Sequence, residues 1–389
     1  SSSSTAAKRD WYVWSNKQEG WSKPWGAGQT WFQRGDAWYY AAFSDSMPDL
    51  NYQTLAVRTE MLDIARFWLS HGLDGFRLDA ARYLIETGAG TGQEDTPETH
   101  AFWKEYRQAL ATSSPDSLLI AEAWAETPEV VPYFGSLEEP ELQMAFDFDG
   151  SDALIKSIQK GSSGDLEGRL CDRFKAYPEW GTAGTFLTNH DMKRIATQLA
   201  ATGAGGLRLA AALLLTLPGT PWIYYGEEIG MLNGSGDDDV AKRLPMQWEA
   251  RAGAGFSSGT PWAEPISIKA ADTVAGQRED TASLLSWYRR LIRLRASESA
   301  LRLGSTSIVA ATGSSGNALV LRREASGQTL VLVYNIAKTV NTITVPSNDL
   351  PPAVTFHDLL TDTRVLRTAV DAPLLLDSVE ARGVRVLRA

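Results

Sequence analysis

Apolar residues recur at helical spacing between Tyr52 and Ser70, at Leu55, Val57, Met61, Ile64, Ala65, Trp68 and Leu69, and His71-Gly72 then stops the run. The stretch Leu73-Asp74-Gly75-Phe76-Arg77-Leu78-Asp79 follows and suits a buried strand. Thr96-Pro97-Glu98 opens a second helix carrying Phe102, Trp103, Tyr106 and Leu110. Further strands are expected at Ser117–Ala121, at Gln143–Asp147 (weaker), at Gly184–Thr188 and at Trp222–Tyr225, with a strongly apolar helix over residues 206–217. Strands alternating with helices predict parallel βαβ units. Residues 231–281 show little regularity and several Gly and Pro, and a stretch of that kind inside a compact domain is often functional. A helix returns around Leu284–Leu294. Beyond about residue 301 the period changes: Ala318–Arg323 and Thr329–Tyr334 alternate around Ser326-Gly327, a hairpin signal, and short strands are expected at 352–357 and 383–388. The last part of the chain therefore reads as a small antiparallel β-domain.

Composition narrows the function. The chain has 389 residues, 43% of them hydrophobic and 22% charged, ordinary values for a globular protein with a real core. No stretch of 18 apolar residues exists, so no membrane helix is expected. A net charge of −10 argues against nucleic acid and anionic membrane as main partners, since both need a basic face. The single cysteine, Cys171, forms no internal disulfide and reads as inert. The four histidines have no H-E-x-x-H spacing, which disfavours a zinc hydrolase. Low cysteine content and acidic charge fit a secreted or periplasmic hydrolase, and equally a cytoplasmic one. Ser1–Thr5 lacks the charged and apolar regions of a signal peptide and reads as a loop tip or processed end. Six of the 14 tryptophans (Trp11, Trp14, Trp21, Trp25, Trp31 and Trp38) lie in the irregular, aromatic first 45 residues.

Acidic residues stand at the C-terminal ends of three expected strands: Asp79, Glu122 and Asp191. In a parallel barrel such ends open on one face, where active sites are built. Carboxylates crowded in a poorly solvated cleft push one another's pKa apart, leaving one ionised as nucleophile and one protonated as acid. The bland reading of any one of them is a helix cap or a loop charge; three at successive strand ends weaken it. Arg77, two residues before Asp79, points to the same side of a strand and would help keep Asp79 ionised. Asn189 and His190 adjoin Asp191 and could donate hydrogen bonds to sugar hydroxyls. Asp74 reads as a turn residue, Glu126 and Glu129 as caps, His71 as a helix-dipole partner, and Asp237-Asp238-Asp239 as a solvated loop in preference to a calcium site.

These residues resemble a known family. Asp74-Gly75-Phe76-Arg77-Leu78-Asp79-Ala80-Ala81 resembles the nucleophile motif of glycoside hydrolase family 13, the α-amylase family. Ile120-Ala121-Glu122-Ala123-Trp124 resembles its acid/base motif, and Phe186-Leu187-Thr188-Asn189-His190-Asp191 its third catalytic motif. Met47-Pro48-Asp49-Leu50-Asn51 looks like the signature near the end of domain B, and Gly219–Glu228 like the eighth-strand motif. Arg243-Leu244-Pro245-Met246-Gln247-Trp248 resembles oligo-1,6-glucosidase-like members, whereas Ala80 after the nucleophile looks more like α-amylases. The nearest pattern is the intermediary group between oligo-1,6-glucosidases and neopullulanases, acting on starch and maltooligosaccharides and sometimes transferring glucosyl units.

The resemblance implies an α/β fold: a TIM (β/α)8 barrel with an irregular domain B segment and a C-terminal antiparallel β-sandwich. The implied division is residues 1–45 as the remainder of domain B, 46–300 as the C-terminal part of the barrel, and 301–389 as the C-terminal β-domain. It implies Asp79 as nucleophile, Glu122 as acid/base and Asp191 as the residue that grips sugar hydroxyls and favours the distorted ring. Arg77, His190, Asn189 and Trp124 would bind substrate, and retention of configuration would follow from carboxylates about 5–5.5 Å apart. Calcium is a possible cofactor by resemblance, its ligands not identifiable in the sequence. The family's three leading barrel strands, with an Asp-x-x-x-Asn-His motif, find no counterpart here. A separate N-terminal fragment is therefore expected to complete the barrel.

Overall fold

A computed structural model describes residues 3, 5–313 and 317–389. The reading of Ser1–Thr5 as a loop tip lies mostly outside the described residues. The fold divides into two compact units. One holds the described residues up to Phe146 together with Ala176–Thr182; the other holds Asp147–Lys175 and Ala183–Ala389.

The first unit begins with a small antiparallel sheet in which β3 (Ala37–Tyr40) lies between β1 (Trp14–Ser15) and β2 (Trp31–Arg34). Its side chains explain most of the tryptophan cluster. Trp21, Trp31 and Tyr40 pack edge to face with ring centroids 5.3–5.9 Å apart, and Arg9 lies over the Trp14 ring. Trp25 is the half-exposed member and leans on Phe43 and Tyr83.

Helix α1 (Leu55–Ser70) then leads to strand β4 (Gly75–Leu78), helix α2 (Pro97–Ala111), strand β5 (Leu118–Ala121), the short α3 (Thr127–Val130) and β6 (Met144–Phe146). The strands β4, β5 and β6 pair in parallel. Gly75 is obligatory at the start of that pairing: a Cβ there would sit 2.0 Å from the Leu118 carbonyl oxygen. Thr96 caps α2 by accepting from the Thr99 N–H, with Pro97 at the first turn. The core joins Ala65, Phe102, Trp103, Leu110, Leu119, Tyr133 and Phe134. Only part of the α1 stripe is buried, however. Val57 and Ala65 face the core, while Ile64 and Trp68, four residues apart, are exposed. Among the described residues, β4 has a strand partner on one side only.

The second unit contributes helices that the sequence reading did not anticipate, α4 (Phe148–Lys160) and α5 (Gly164–Ala176). Their signals were present: Asp147 caps α4, Leu154, Ile155 and Ile158 recur on one face, and Gly161 ends it in a left-handed conformation. Next come β7 (Thr182–Phe186), α6 (Ile195–Gln198), α7 (Gly203–Thr216) and β8 (Thr220–Trp222). β7 and β8 run parallel. Both strands start about two residues earlier than the periodicity suggests, and the apolar run continues past the last ladder residue of each. Leu187 and Thr188 are buried after the ladder has ended. Tyr224 and Tyr225 pack against the Arg194 guanidinium, 4.6 and 4.5 Å from the ring centroids.

The irregular segment holds α8 (Asp239–Lys242) and α9 (Val274–Gln277), followed by α10 (Leu284–Ser297) and α11 (Ser299–Leu303). Among the described residues, nine short strands then build two antiparallel sheets. The six-stranded one runs β15 (Thr363–Leu366), β14 (Thr355–Asp358), β17 (Val384–Arg388), β12 (Gln328–Asn335), β11 (Ala318–Ala325), β9 (Ser305–Ile308). The other joins β10 (Thr312–Gly313), β13 (Asn341–Val345) and β16 (Leu374–Val379). Strict alternation on β11 and β12 explains the layering. Val320, Val331 and Val333 face the second sheet with Ile343 and Leu376, whereas Leu319, Leu321, Leu330 and Leu332 face α7 and α10.

Two smaller expectations need correction. Glu126 stands at the start of α3, but its carboxylate makes no capping hydrogen bond. The acidic run 237–239 is not merely solvated: Asp238 caps α8, Asp237 pairs with Lys193 and Asp239 with Lys242 and Arg243.

Candidate active site

In the first unit the parallel register sets Arg77 beside Ile120, so the residues that follow the two strands emerge together. One guanidinium holds both acids. Arg77 lies 2.6 Å from the Asp79 carboxylate and 2.9 Å from Glu122 Oε1. The planar fork suits this double duty, as a lysine would not. The sequence assigned Arg77 to Asp79 alone. Ala80 makes the second contact. Its backbone is left-handed at φ 49°, which aims its N–H at Glu122 Oε2 from 2.8 Å. Unfavourable backbone held by its surroundings is common where chemistry is done.

The two acids differ in environment. The Asp79 side chain is 76% exposed and the Glu122 side chain 11%. Burial pushes the Glu122 carboxyl above its ordinary range, and the neighbouring Asp79 adds to the rise. The Ala80 N–H and Arg77 oppose it. A buried carboxyl raised above its ordinary range beside an open one is the kind of contrast that two-carboxylate chemistry uses.

Trp124, two residues beyond Glu122, is half exposed. Its carbonyl accepts from Arg82, which also pairs with Asp95 and Glu94, and Tyr133 donates to Asp95 at 2.6 Å. This partly buried network ties down the backbone after Glu122. Sequence reasoning did not find it, because Arg82, Asp95 and Tyr133 are joined only by the fold.

In the second unit Asn189, His190 and Asp191 follow β7. Asn189 does not reach outward through its amide oxygen, which accepts from the Asp191 N–H at 2.9 Å. It is a turn-forming residue that sets the Asp191 backbone. His190 Nε2 lies 3.2 Å from Asp191 Oδ2. Arg243 lies 2.7 Å from Asp191 Oδ1 and donates to the His190 carbonyl at 3.1 Å. Arg243 was legible only as part of a motif; its role as the holder of Asp191 comes from the fold. Replacing it by lysine is expected to lower kcat/KM about ten-fold with little change in thermal midpoint, since the fork contact and not the charge is lost. An unchanged kcat/KM would remove Arg243 from the site.

Among the described residues no group of three or more His, Cys, Asp or Glu side chains gathers to hold a metal ion.

Residues 1–304 match the family model for the α-amylase catalytic domain. The chain belongs to the α-amylase family, glycoside hydrolase family 13. A trehalose synthase/amylase of Mycolicibacterium smegmatis is 33% identical over 331 residues, which cover 75% of this chain and 55% of the relative. An alpha-amylase of Dictyoglomus thermophilum is 30% identical, covering 88% of this chain and 64% of the relative. The chain thus spans less than two thirds of the curated relatives it matches. The crystal structure of an alpha-amylase from H. orenii superposes with a TM-score of 0.81 at 27% identity, covering 99% of this chain and 75% of that one. The architecture accordingly belongs with the TIM-barrel enzymes of this family, with parallel strands followed by an antiparallel C-terminal sheet.

Proposed function

We propose that this α-amylase family member cleaves α-1,4-glucosidic bonds of starch and maltooligosaccharides with retention of configuration. The observation that carries the reading is the shared Arg77 between an exposed Asp79 and a buried Glu122 whose carboxyl is raised. Glu122 gives its proton to the glycosidic oxygen while an Asp79 oxygen forms a bond to the anomeric carbon and the C–O bond breaks. Glu122, now a carboxylate, takes a proton from water; that oxygen attacks the same carbon and Asp79 leaves. Asp191 and His190 are assigned the grip on sugar hydroxyls, and Trp124 the apolar sugar face. Release of reducing sugar from maltooligosaccharides tests the reading. Equal, negligible release by the parent and by Glu122→Gln would favour a non-catalytic sugar-binding protein.

The second reading is an α-glucosidase or transglucosylase of the same family. The name of the 33% identical relative favours it. In a transglucosylase a sugar hydroxyl replaces water in the second step, whereas an α-glucosidase keeps water there and releases single glucose units; product profiles from starch, pullulan and sucrose separate these from the first reading.

The pH profile follows from the Glu122 shift. The first step needs Glu122 protonated, so activity falls as pH rises through its pKa. That pKa is raised, so the alkaline limb lies above the ordinary glutamate value of about 4.3. Arg77 opposes the rise, so Arg77→Met moves the limb further up while lowering the maximum. A limb that stays in place would separate Glu122 from the proton transfer.

The proposal includes further polypeptide adding a parallel strand to β4. The exposed Ile64 and Trp68 and a cavity of about 460 Å³ lined by Met61, Phe76, Leu78, Trp103 and Tyr106 support it. So does the open β4 edge, which proteins normally cover. Full turnover by an isolated 42.5 kDa species would overturn it. Calcium is proposed only on family grounds, and an unchanged thermal midpoint in EDTA would dismiss it.

A further inference from the structure

Arg243, which holds Asp191, stands on little regular structure of its own. It closes the four-residue helix α8, and its side chain is partly exposed. A long side chain on so short an element keeps one direction only if the backbone beneath it is fixed from outside.

Two tyrosine hydroxyls fix it. Tyr224 donates to the Lys242 carbonyl at 3.1 Å and Tyr225 to the Leu244 carbonyl at 2.7 Å, one on each side of Arg243. Both tyrosines stand just beyond β8, so these tethers lead back to the parallel ladder. Their rings meet edge to face with centroids 4.8 Å apart.

Arg194 holds the rings in turn. It is 1% exposed, its guanidinium lies 4.6 and 4.5 Å from the two centroids, and it donates to the Tyr225 carbonyl at 2.6 Å. Its own backbone N–H donates to Asn233 Oδ1 at 2.7 Å, and the Asn233 N–H donates to the Thr197 hydroxyl at 2.8 Å. Gly226 lets the chain pass this close: its φ is 85°, and a Cβ there would sit 2.7 Å from the Met231 sulfur and 3.1 Å from an Arg194 nitrogen. A buried guanidinium also needs opposite charge nearby. Glu227 and Glu228 supply it: burial pushes both carboxyls up, and Arg194 opposes the rise.

These contacts form a closed circuit. Arg194 follows Asp191 by three residues. From Arg194 the path runs through the two rings to the carbonyls that flank Arg243, and Arg243 returns to Asp191 at 2.7 Å and to the His190 carbonyl at 3.1 Å. We propose that Arg194, Tyr224 and Tyr225 are positioning residues for Asp191, acting through Arg243. None of them touches sugar in this role; they set the direction of the Arg243 fork, and the fork sets the carboxylate. The inference rests on the α-glucan reading above and deepens it.

A double-mutant cycle provides the test. Tyr224→Phe with Tyr225→Phe keeps both rings and removes both tethers. Reducing-sugar release from maltotriose should show kcat/KM lowered about ten-fold, carried mainly by kcat, since a misplaced Asp191 loses more in the distorted transition state than in the ground state. In Arg243→Lys, which has already lost the fork contact, the same pair should add no more than about two-fold. An unchanged kcat/KM in the pair overturns the proposal. So does a full ten-fold loss in both backgrounds, which is the mark of a merely structural effect. Arg194→Lys, which keeps the charge and loses the planar face, should fall as far as the tyrosine pair, and full activity there removes Arg194 from the circuit. Hydrogen exchange needs no turnover: the pair should speed exchange of the amides of residues 241–246 and leave β7 unchanged, and unaltered exchange in 241–246 also overturns the proposal. Failure of the catalytic reading is seen separately, in reducing-sugar release that Glu122→Gln does not change.

Discussion

Asp79→Ala should lower turnover of maltooligosaccharides by on the order of 10⁴–10⁶-fold, the scale on which loss of a covalent nucleophile is felt. Glu122→Ala should also be severely impaired, but the two losses should differ in kind. Azide placed against Asp79→Ala can occupy the space vacated by the carboxylate and attack from that side. It should restore turnover and yield a β-glucosyl azide, inverted from the substrate. In Glu122→Ala the nucleophile is intact and leaving-group protonation is lost. A substrate with an acidic phenol as leaving group needs no proton, so its first step should survive in Glu122→Ala and not in Asp79→Ala. Azide should then release an α-glucosyl azide of retained configuration. The environments predict this split, because one acid is exposed beside Arg77 while burial raises the carboxyl of the other. The same azide product from both variants would refute the assignment.

Arg173→Met should cost about 3–5 kcal/mol of stability, the largest effect expected away from the chemistry. The Arg173 and Asp147 side chains are almost fully buried and form an ion pair, and Arg173 donates also to the Pro218 carbonyl at 3.1 Å. The other Asp147 oxygen accepts from the Gly150 N–H at 2.8 Å and so caps α4. Removing the arginine leaves that carboxylate buried with a single donor, and desolvation is then uncompensated. A lowered urea midpoint at pH 7 reports the loss. Adding Asp147→Asn to Arg173→Met should recover part of it, because the orphaned charge is gone. A double variant no better than the single one would show that packing, not charge, was lost.

Much of this protein was legible in one sequence because its signals are local. Period and punctuation located α1, α2, α7, α10 and the β11–β12 hairpin, since burial of one face imposes a repeat on neighbours along the chain. The family motifs marked Asp79, Glu122 and Asp191, because strand ends bring chemistry into short, recognisable runs. The boundaries of β7 and β8 were less legible, as the apolar run continues past the last ladder residue of each strand. The helices α4 and α5 were overlooked although their caps and glycine stop are local.

What only tertiary structure decided are relations between residues far apart in the chain. Arg77 serves Glu122 as well as its own neighbour, because parallel pairing of β4 and β5 sets them side by side. Arg243 meets Asp191 across 52 residues, and Arg82, Asp95 and Tyr133 gather behind Trp124. No repeat encodes such contacts, since they depend on where whole elements pack. The exposure that separates Asp79 from Glu122 is of the same kind. The sequence by itself determined which carboxylates stand at the strand ends; the fold decided which of them water reaches, and desolvation turns that difference into chemistry.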